Sequence, residues 1–227
     1  MTEPLPRITI IGATGDLGSG IAYQLAKAGY SVMIGSRSAE KAEKAAAAMT
    51  ERTSQPVAGM ENGAAAAAGD VVILTVPFAS HQIMLEAVRE GAQGKIFVDA
   101  TVPLVPPRVA RVQMPPDGPV ARQAQEFLGE NVRVVSAFQN IAAAHLQDDE
   151  QHAADCDVLV CGNDPKARAV VIQLAEAMGM QAWHAGAIDN STVAEALTSV
   201  LIFLNKRYKI DGAGIRITGV PGSAGSV

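Results

Sequence analysis

The sequence holds little cysteine, few aromatics, no excess of positive charge and no long apolar run, and each shortage removes a class of protein. Two cysteines in 227 residues are too few for a disulfide framework. They stand as Cys156 and Cys161 in CDVLVC. In a strand their odd offset puts them on opposite faces, so they neither pair nor share a metal. Aromatics make up 4% of the chain, and a net charge of −5 with a pI of about 5.4 leaves no global footprint for nucleic acid. The apolar runs fall well short of the ~20 residues a membrane span needs, and MTEPLPRITI has no signal-peptide pattern. At 48% hydrophobic and 18% charged, the composition excludes a disordered chain. What remains is an alanine-rich α/β protein, expected to be cytoplasmic, with no nucleic-acid or membrane partner. Its length fits one large domain or one domain with an appendage.

Apolar runs alternate with helical stretches along the chain. RITIIG (7–12) predicts a strand ending in glycine, then a helix from about Asp16 to Ala28 closed by Gly29. YSVMIG (30–35) is the next strand, and 38–53 a surface helix with Ser38 as N-cap. A short strand at 55–60 and a small helix at 61–69 lead to DVVILTVP (70–77), apolar on both faces. A helix near 80–90 and the strand KIFVDAT (95–101) follow. Regularity then breaks. Residues 102–118 carry Pro103, Pro106, Pro107, Pro115 and Pro116 with no clear period, and compact domains rarely tolerate such a loop unless it is functional. A helix near 119–129 and a strand at 132–138 resume the alternation, and a strand–helix–strand unit spans 155–162, 164–178 and 181–186. The last helix, about 190–208, puts Val193, Ala196, Leu197, Val200, Leu201 and Leu204 at helical spacing. A short strand in AGIRITGV and a frayed end, PGSAGSV, close the chain. Strands apolar on both faces, alternating with helices, predict a parallel sheet covered on both sides. Ligands of such sheets bind outside the carboxyl ends of the strands, at the topological switch point.

IIGATGDLGSG (10–20) follows the first strand and opens the first helix, with Gly12, Gly15, Gly18 and Gly20. The spacing is G-x-x-G-x-x-G. Small residues there permit the tight turn, the approach of backbone to a pyrophosphate and the packing of helix on strand. The helix N-terminus then offers free N–H groups and a positive dipole end to the phosphates. Asp16 sits awkwardly in such an anion site, so its carboxylate is expected to point outward and cap the helix. After the second strand, NAD binders place an acidic residue for the ribose 2′-hydroxyl. This chain has Gly35-Ser36-Arg37 and no carboxylate until Glu40. Arg37 can grip a 2′-phosphate bidentately and Ser36 can donate to it, which favours NADP(H). Lys41 either adds a third contact or is a solvated helix charge beside Glu40 and Glu43. The fold class is therefore α/β, a Rossmann-type doubly wound, mostly parallel sheet with a short C-terminal helical appendage.

Other motifs lead elsewhere and fail. Tyr23-Gln-Leu-Ala-Lys27 matches the Tyr-x-x-x-Lys pair of short-chain dehydrogenases, but it lies in the first helix, behind the glycine loop. None of His81, His145, His152 and His184 has metal-ligand spacing, and no nucleophile elbow is present. His81 after the fourth strand and Asp99 at the end of the fifth are the nearest candidates for chemistry. For His81, helix capping or surface placement is the competing reading. With no catalytic side chain and no metal site in view, the pattern fits hydride transfer between two cofactors, which needs orientation and exclusion of water more than acid–base chemistry.

Taken in order, IGATGDLGSGIA (11–22), IGSRSAEKAE (34–43), VVILTVPF (71–78), DATVPLVPPRV (99–109), VVSAFQNIAAAHL (134–146), CDVLVCGNDPKAR (156–168), HAGAIDNSTVAEALT (184–198) and NKRYKIDGAGIRITGV (205–220) resemble the NADPH-dependent F420 reductase family. The glycine loop is unspecific; the VPLVPPRV, SAFQN and AGIRITG segments are specific. The resemblance spans nearly the whole chain and implies hydride transfer between NADP(H) and the deazaflavin coenzyme F420, in a homodimer. It implies NADP contacts at Thr14, Gly15, Asp16 and Leu17, then at Ser36, Arg37 and Lys41 around the 2′-phosphate. Val76, Pro77 and Phe78 would lie along the nicotinamide half, with Ala143 near the ring. Ser136, Phe138, Gln139, Asn140 and Arg207 would form the second-cofactor pocket, with the proline loop as a further wall. The chain departs from some family members, which have His and Thr at Gln139 and Asn140 and Pro at Ala142.

Lys206, Arg207, Lys209 and Arg216 gather cations near the C-terminus, with Asp211 the one nearby acid in sequence. They suit a phosphate and polyglutamate tail, or complement the dipole of the last helix. Two other functions compete: an NADPH-dependent reductase of a flavin or other small acceptor, and a non-catalytic NADP(H)-sensing module. The stretch 187–227 is short for the helical second domain of hydroxyacid dehydrogenases, which runs to on the order of 100 residues. The expected division is an NADP-binding domain at 1–186, and at 187–227 a helix and tail that complete the second pocket and offer a dimer interface.

Overall fold

The structure, a computed structural model, describes residues 4–147 and 155–219. His152 and the end at 221–227 lie outside the described residues. The elements run β1 (Ile8–Ile11), α1 (Asp16–Lys27), β2 (Val32–Ser36), α2 (Ala39–Thr53), β3 (Val57–Glu61), α3 (Asn62–Ala68) and β4 (Val71–Leu74). Then come α4 (His81–Val88), β5 (Ile96–Asp99), α5 (Val120–Leu128), β6 (Arg133–Ser136), β7 (Val158–Gly162), α6 (Pro165–Ala177), β8 (Ala182–His184) and α7 (Ser191–Tyr208). Single 3-10 turns at Phe78–Ser80, Ala143–Leu146 and Ile188–Asn190 precede or bridge these elements. Residues 102–118 form no regular element.

The strands make one sheet in the order β3-β2-β1-β4-β5-β6-β7-β8. Every pair is parallel except β6 with β7. The two-sided burial read from the sequence is what the strands show. In β4, Val71 and Ile73 enter one core with Ile8, Ile10, Leu25 and Val158, while Val72 and Leu74 enter a second core with Ile11, Leu85, Phe97 and Leu128. Alternate residues thus feed opposite faces, each roofed by helices. Alanine serves this layering: Ala42, Ala65, Ala66 and Ala124 are fully buried and let helices ride close to the strands.

Local chemistry sets the helix ends. The Ser38 side chain accepts from Lys41 N at the start of α2, and Asp164 caps α6 at 2.6 Å from Ala167 N, with Pro165 in the first turn. Gly29 takes φ +87° just past α1, the left-handed conformation expected at that stop.

One feature differs from the sequence reading. The stretch expected as a tail strand has no strand within its described part. It docks in extended form beside β7, where Asp157 N donates to Ile215 O and Ile217 N donates to Asp157 Oδ2. Helix α7 forms where its apolar spacing placed it. Its inner face carries Ser191, Ala194, Glu195, Ser199 and Leu201, while Val193, Val200 and Phe203 point outward. The inner face is polar because Glu195 caps α5 and the Thr198 hydroxyl donates to the main-chain carbonyl of Gln139. These bonds bring α7 to the carboxyl edge of β5 and β6, beside the loops that follow them.

Candidate active site

The strand order reverses between β1 and β4, and both end at the same level. Thr75 stitches them, its N–H and hydroxyl both donating to Ile11 O at 2.9 and 3.0 Å. The glycine loop crosses this seam with no room for a side chain at Gly12 or Gly18. Gly12 sits at φ +92°, and a Cβ there would stand 2.9 Å from Thr75 O. A Cβ on Gly18 would stand 2.7 Å from Gly12 O. The loop closes on itself through Gly15 N to Gly12 O at 2.9 Å. Gly15 is the N-cap of α1 and has no side chain to satisfy the first turn, which leaves its N–H groups available to a ligand. Asp16 is exposed, as expected, but it does not cap the helix. It occupies the first helical position, beyond the residue from which a cap acts, and its carbonyl accepts from Ser19 and Gln147.

A cleft of about 520 Å³ opens from this loop. Thr14 and Gly15 line one end, Ser36, Arg37 and Lys41 another, and Val76 and Pro77 the wall after β4. These residues are far apart in sequence, and the structure brings them together. Arg37 is exposed and makes no ion pair among the described residues. Asn62, Ser80 and Met84 also line the cleft and were missed by the sequence reading. Asn62 is 1% exposed and its Oδ1 has no hydrogen-bond partner. Leu17 packs against the main core, and Phe78 is half-buried in the turn that follows Pro77. Ala143 lies against α1, its carbonyl 3.5 Å from where a Gly20 Cβ would stand.

The residues expected around a second cofactor gather at the end of β6. Gln139 Nε2 donates to Asp99 O at 2.8 Å and to Ser136 Oγ at 2.7 Å; Asn140 Nδ2 donates to Asp157 O at 2.7 Å. Gln139 Oε1 and Asn140 Oδ1 have no partner. Ser136 and Phe138 are wholly buried, and Phe138, at φ +75°, belongs to the main core. They brace this segment from behind. Arg207 is exposed in the last turn of α7 with Lys206. Arg216 pairs with Asp155 instead of joining these cations, a partner 61 positions away that spacing alone does not reveal. The proline loop reaches α7, where Pro107, Arg108, Ala110, Arg111 and Phe203 line a shallow groove.

His81 and Asp99 are buried against each other, with Nε2 2.6 Å from Oδ2. The sequence reading had His81 as a cap or surface residue; its pairing with the end of β5 draws it inside. Burial pulls its pKa down, but the charge and hydrogen bond of Asp99, helped by the charge of Glu195, leave it raised. Tyr23 is buried in α1 under the guanidinium of Arg52, 3.8 Å from the ring centroid, and Lys27 stands 5.1 Å from the same ring. That pair packs behind the glycine loop. Burial raises both thiols, Cys156 and Cys161, to about 11. Among the described residues no helix is long and apolar enough to cross a membrane.

A doubly wound sheet with a glycine loop at its switch point and free cations beside the second strand defines a Rossmann-type, NADP(H)-binding oxidoreductase fold. Residues 7–103 match the family model described as "NADP oxidoreductase coenzyme F420-dependent". The chain is 44% identical over 221 residues to the F420-dependent NADP reductase of Methanocaldococcus jannaschii, covering 93% of this chain and 98% of that one. It is 40% identical over 223 residues to the F420-dependent NADP reductase of Methanothermobacter thermautotrophicus, covering 95% and 96%. A crystal structure of a candidate F420-dependent NADP reductase from Arthrobacter sp. FB24 superimposes with a TM-score of 0.79 at 28% identity, covering 94% of this chain and all of that one. The chain belongs to the F420-dependent NADP reductase family, as the resemblance of its motifs implied.

Proposed function

We propose that this protein transfers a hydride directly between NADP(H) and coenzyme F420, with the two rings stacked at the carboxyl edge of the sheet. The observation that carries the NADP(H) half is the cleft itself, which has an uncapped helix N-terminus at one end and Ser36, Arg37 and Lys41 at another. Thr14, Gly15, Asp16 and Leu17 hold the pyrophosphate, largely by backbone. Arg37 and Lys41 neutralise the 2′-phosphate. Val76, Pro77 and Phe78 flank the nicotinamide, with Ala143 beside the ring. Membership in a family whose relatives are named for both cofactors supports F420 as the second substrate.

For F420, Gln139 and Asn140 have buried amide oxygens that no protein group satisfies, the kind of atom a ligand donor relieves. Ser136 and Phe138 fix that segment. Lys206, Arg207 and Lys209 suit an anionic tail. No side chain is assigned a catalytic proton transfer; this chain orients the rings and keeps water from them. We assign 1–186 to NADP binding and 187–227 to completion of the second pocket. The outward apolar residues of α7, with Val193 62% and Phe203 52% exposed, support a homodimer, and we place the enzyme in the cytoplasm. Anaerobic mixing with NADPH and oxidised F420 tests the reading: the absorbance band of oxidised F420 is lost. A band that persists at saturating NADPH, with FMN reduced instead, favours a flavin reductase.

A further inference from the structure

Three titratable side chains are buried together at the carboxyl edge, and orientation of the cofactors as described uses none of them: His81, Asp99 and Glu195. His81 opens α4 immediately after the turn that carries Pro77 and Ser80, two residues of the cleft wall. Its ring meets one Asp99 oxygen at 2.6 Å. The other Asp99 oxygen accepts from Thr101 N at 2.9 Å. The Asp99 carbonyl accepts from Gln139 Nε2 at 2.8 Å and from Ala137 N at 3.4 Å. Asp99 thereby joins three strand exits: the turn after β4, its own loop, and the segment after β6.

Burying an ion pair is a poor route to stability, because desolvation offsets most of the attraction and apolar packing serves as well. A pair retained here fixes geometry. We infer that His81 is a positioning residue: through Asp99 it holds the Val76–Ser80 turn, on the nicotinamide side, in register with Gln139, on the F420 side. The inference rests on the hydride-transfer reading above. The Gln139 amide is itself anchored on the Asp99 main chain.

The charged groups facing His81 are Asp99 on β5 and Glu195 on α7. Of the other helices packed on α4, α3 carries no titratable side chain, and Arg122 and Glu126 of α5 are exposed. Both facing groups are carboxylates and favour the imidazolium, which is lost only as pH rises through the raised His81 value. The full-length protein tests this with two variants. His81→Leu deletes the pair and lowers single-turnover hydride transfer about 10- to 100-fold, with NADPH affinity changed less than about threefold. His81→Gln keeps a donor to Asp99 but cannot titrate. It restores most of the rate and abolishes the alkaline loss of rate expected of wild type.

His81→Leu at the wild-type rate, or with rate and affinity falling in parallel, overturns the inference. So does His81→Gln with the wild-type pH profile. If His81→Leu fails to fold, that pH profile decides alone. In each of these cases wild type still reduces F420 and the hydride-transfer reading stands. Wild type that binds NADPH and never reduces F420 overturns both.

Discussion

Replacing Glu195 by Gln measures which force governs a buried carboxylate. Glu195 is 1% exposed, and its two oxygens accept from Val120 N at 2.8 Å and Ala121 N at 3.1 Å. These are the first N–H groups of α5, whose own N-cap, Pro119, offers no side-chain bond. The helix end and both hydrogen bonds favour the anion. Burial, with the charge of Asp99, disfavours it and wins, raising the pKa from 4.5 to about 7. A carboxyl with a raised folded-state pKa binds its proton more tightly when folded. Its contribution is therefore fully present below the unfolded value and lost as pH rises through the folded one. The rise corresponds to about 3 kcal/mol. Gln keeps an acceptor for α5 and cannot ionise. Urea unfolding should show wild type losing about 3 kcal/mol relative to Glu195→Gln between about pH 4 and pH 8. His81, also raised, acts in the same sense in both proteins, and the charge of Glu195 is the smallest of the causes that set its value, so the difference reports chiefly Glu195. A difference that does not change with pH would refute the dominance of burial.

Two further outcomes follow from the cleft. Arg37→Ala should weaken NADPH binding about 10- to 100-fold in a fluorescence titration and leave NADH binding unchanged; equal effects on both would remove the 2′-phosphate assignment. Gly18→Ala would drive a Cβ to 2.4 Å from Thr75 Oγ1 and 2.7 Å from Gly12 O, and the latter is backbone that cannot step aside. It should cost about 1–3 kcal/mol of stability, visible as a lower Tm; an unchanged Tm would mean the loop has slack.

The layering was legible because it depends on local pattern. Val71–Leu74 is apolar at every position and Ile8–Ile11 at all but Thr9, and only a sheet roofed on both faces buries them all. The glycine loop and Ser36-Arg37 were legible for the same reason, since their chemistry lies within a few residues of a strand end. What spacing could not reveal is tertiary. β7 has the composition of a parallel strand, and nothing in that composition distinguishes its antiparallel pairing with β6 from its parallel pairing with β8. His81 and Asp99 stand 18 positions apart and meet because β4 and β5 are neighbours. Glu195 sits in an otherwise apolar stretch of α7, and that isolated charge was the available signal for its inward role. The polar inner face of α7 was not legible, because capping α5 and bonding Gln139 are contacts between elements distant in sequence.

Isotope transfer tests the central claim most directly. NADPH carrying deuterium at both C4 positions is mixed anaerobically with oxidised F420 and the enzyme in ordinary water, and reduced F420 is analysed by mass spectrometry. Direct transfer between stacked rings predicts one deuterium at the deazaflavin C5, independent of solvent. Reduced F420 without deuterium would contradict it, as would the absence of reduction by protein that binds NADPH.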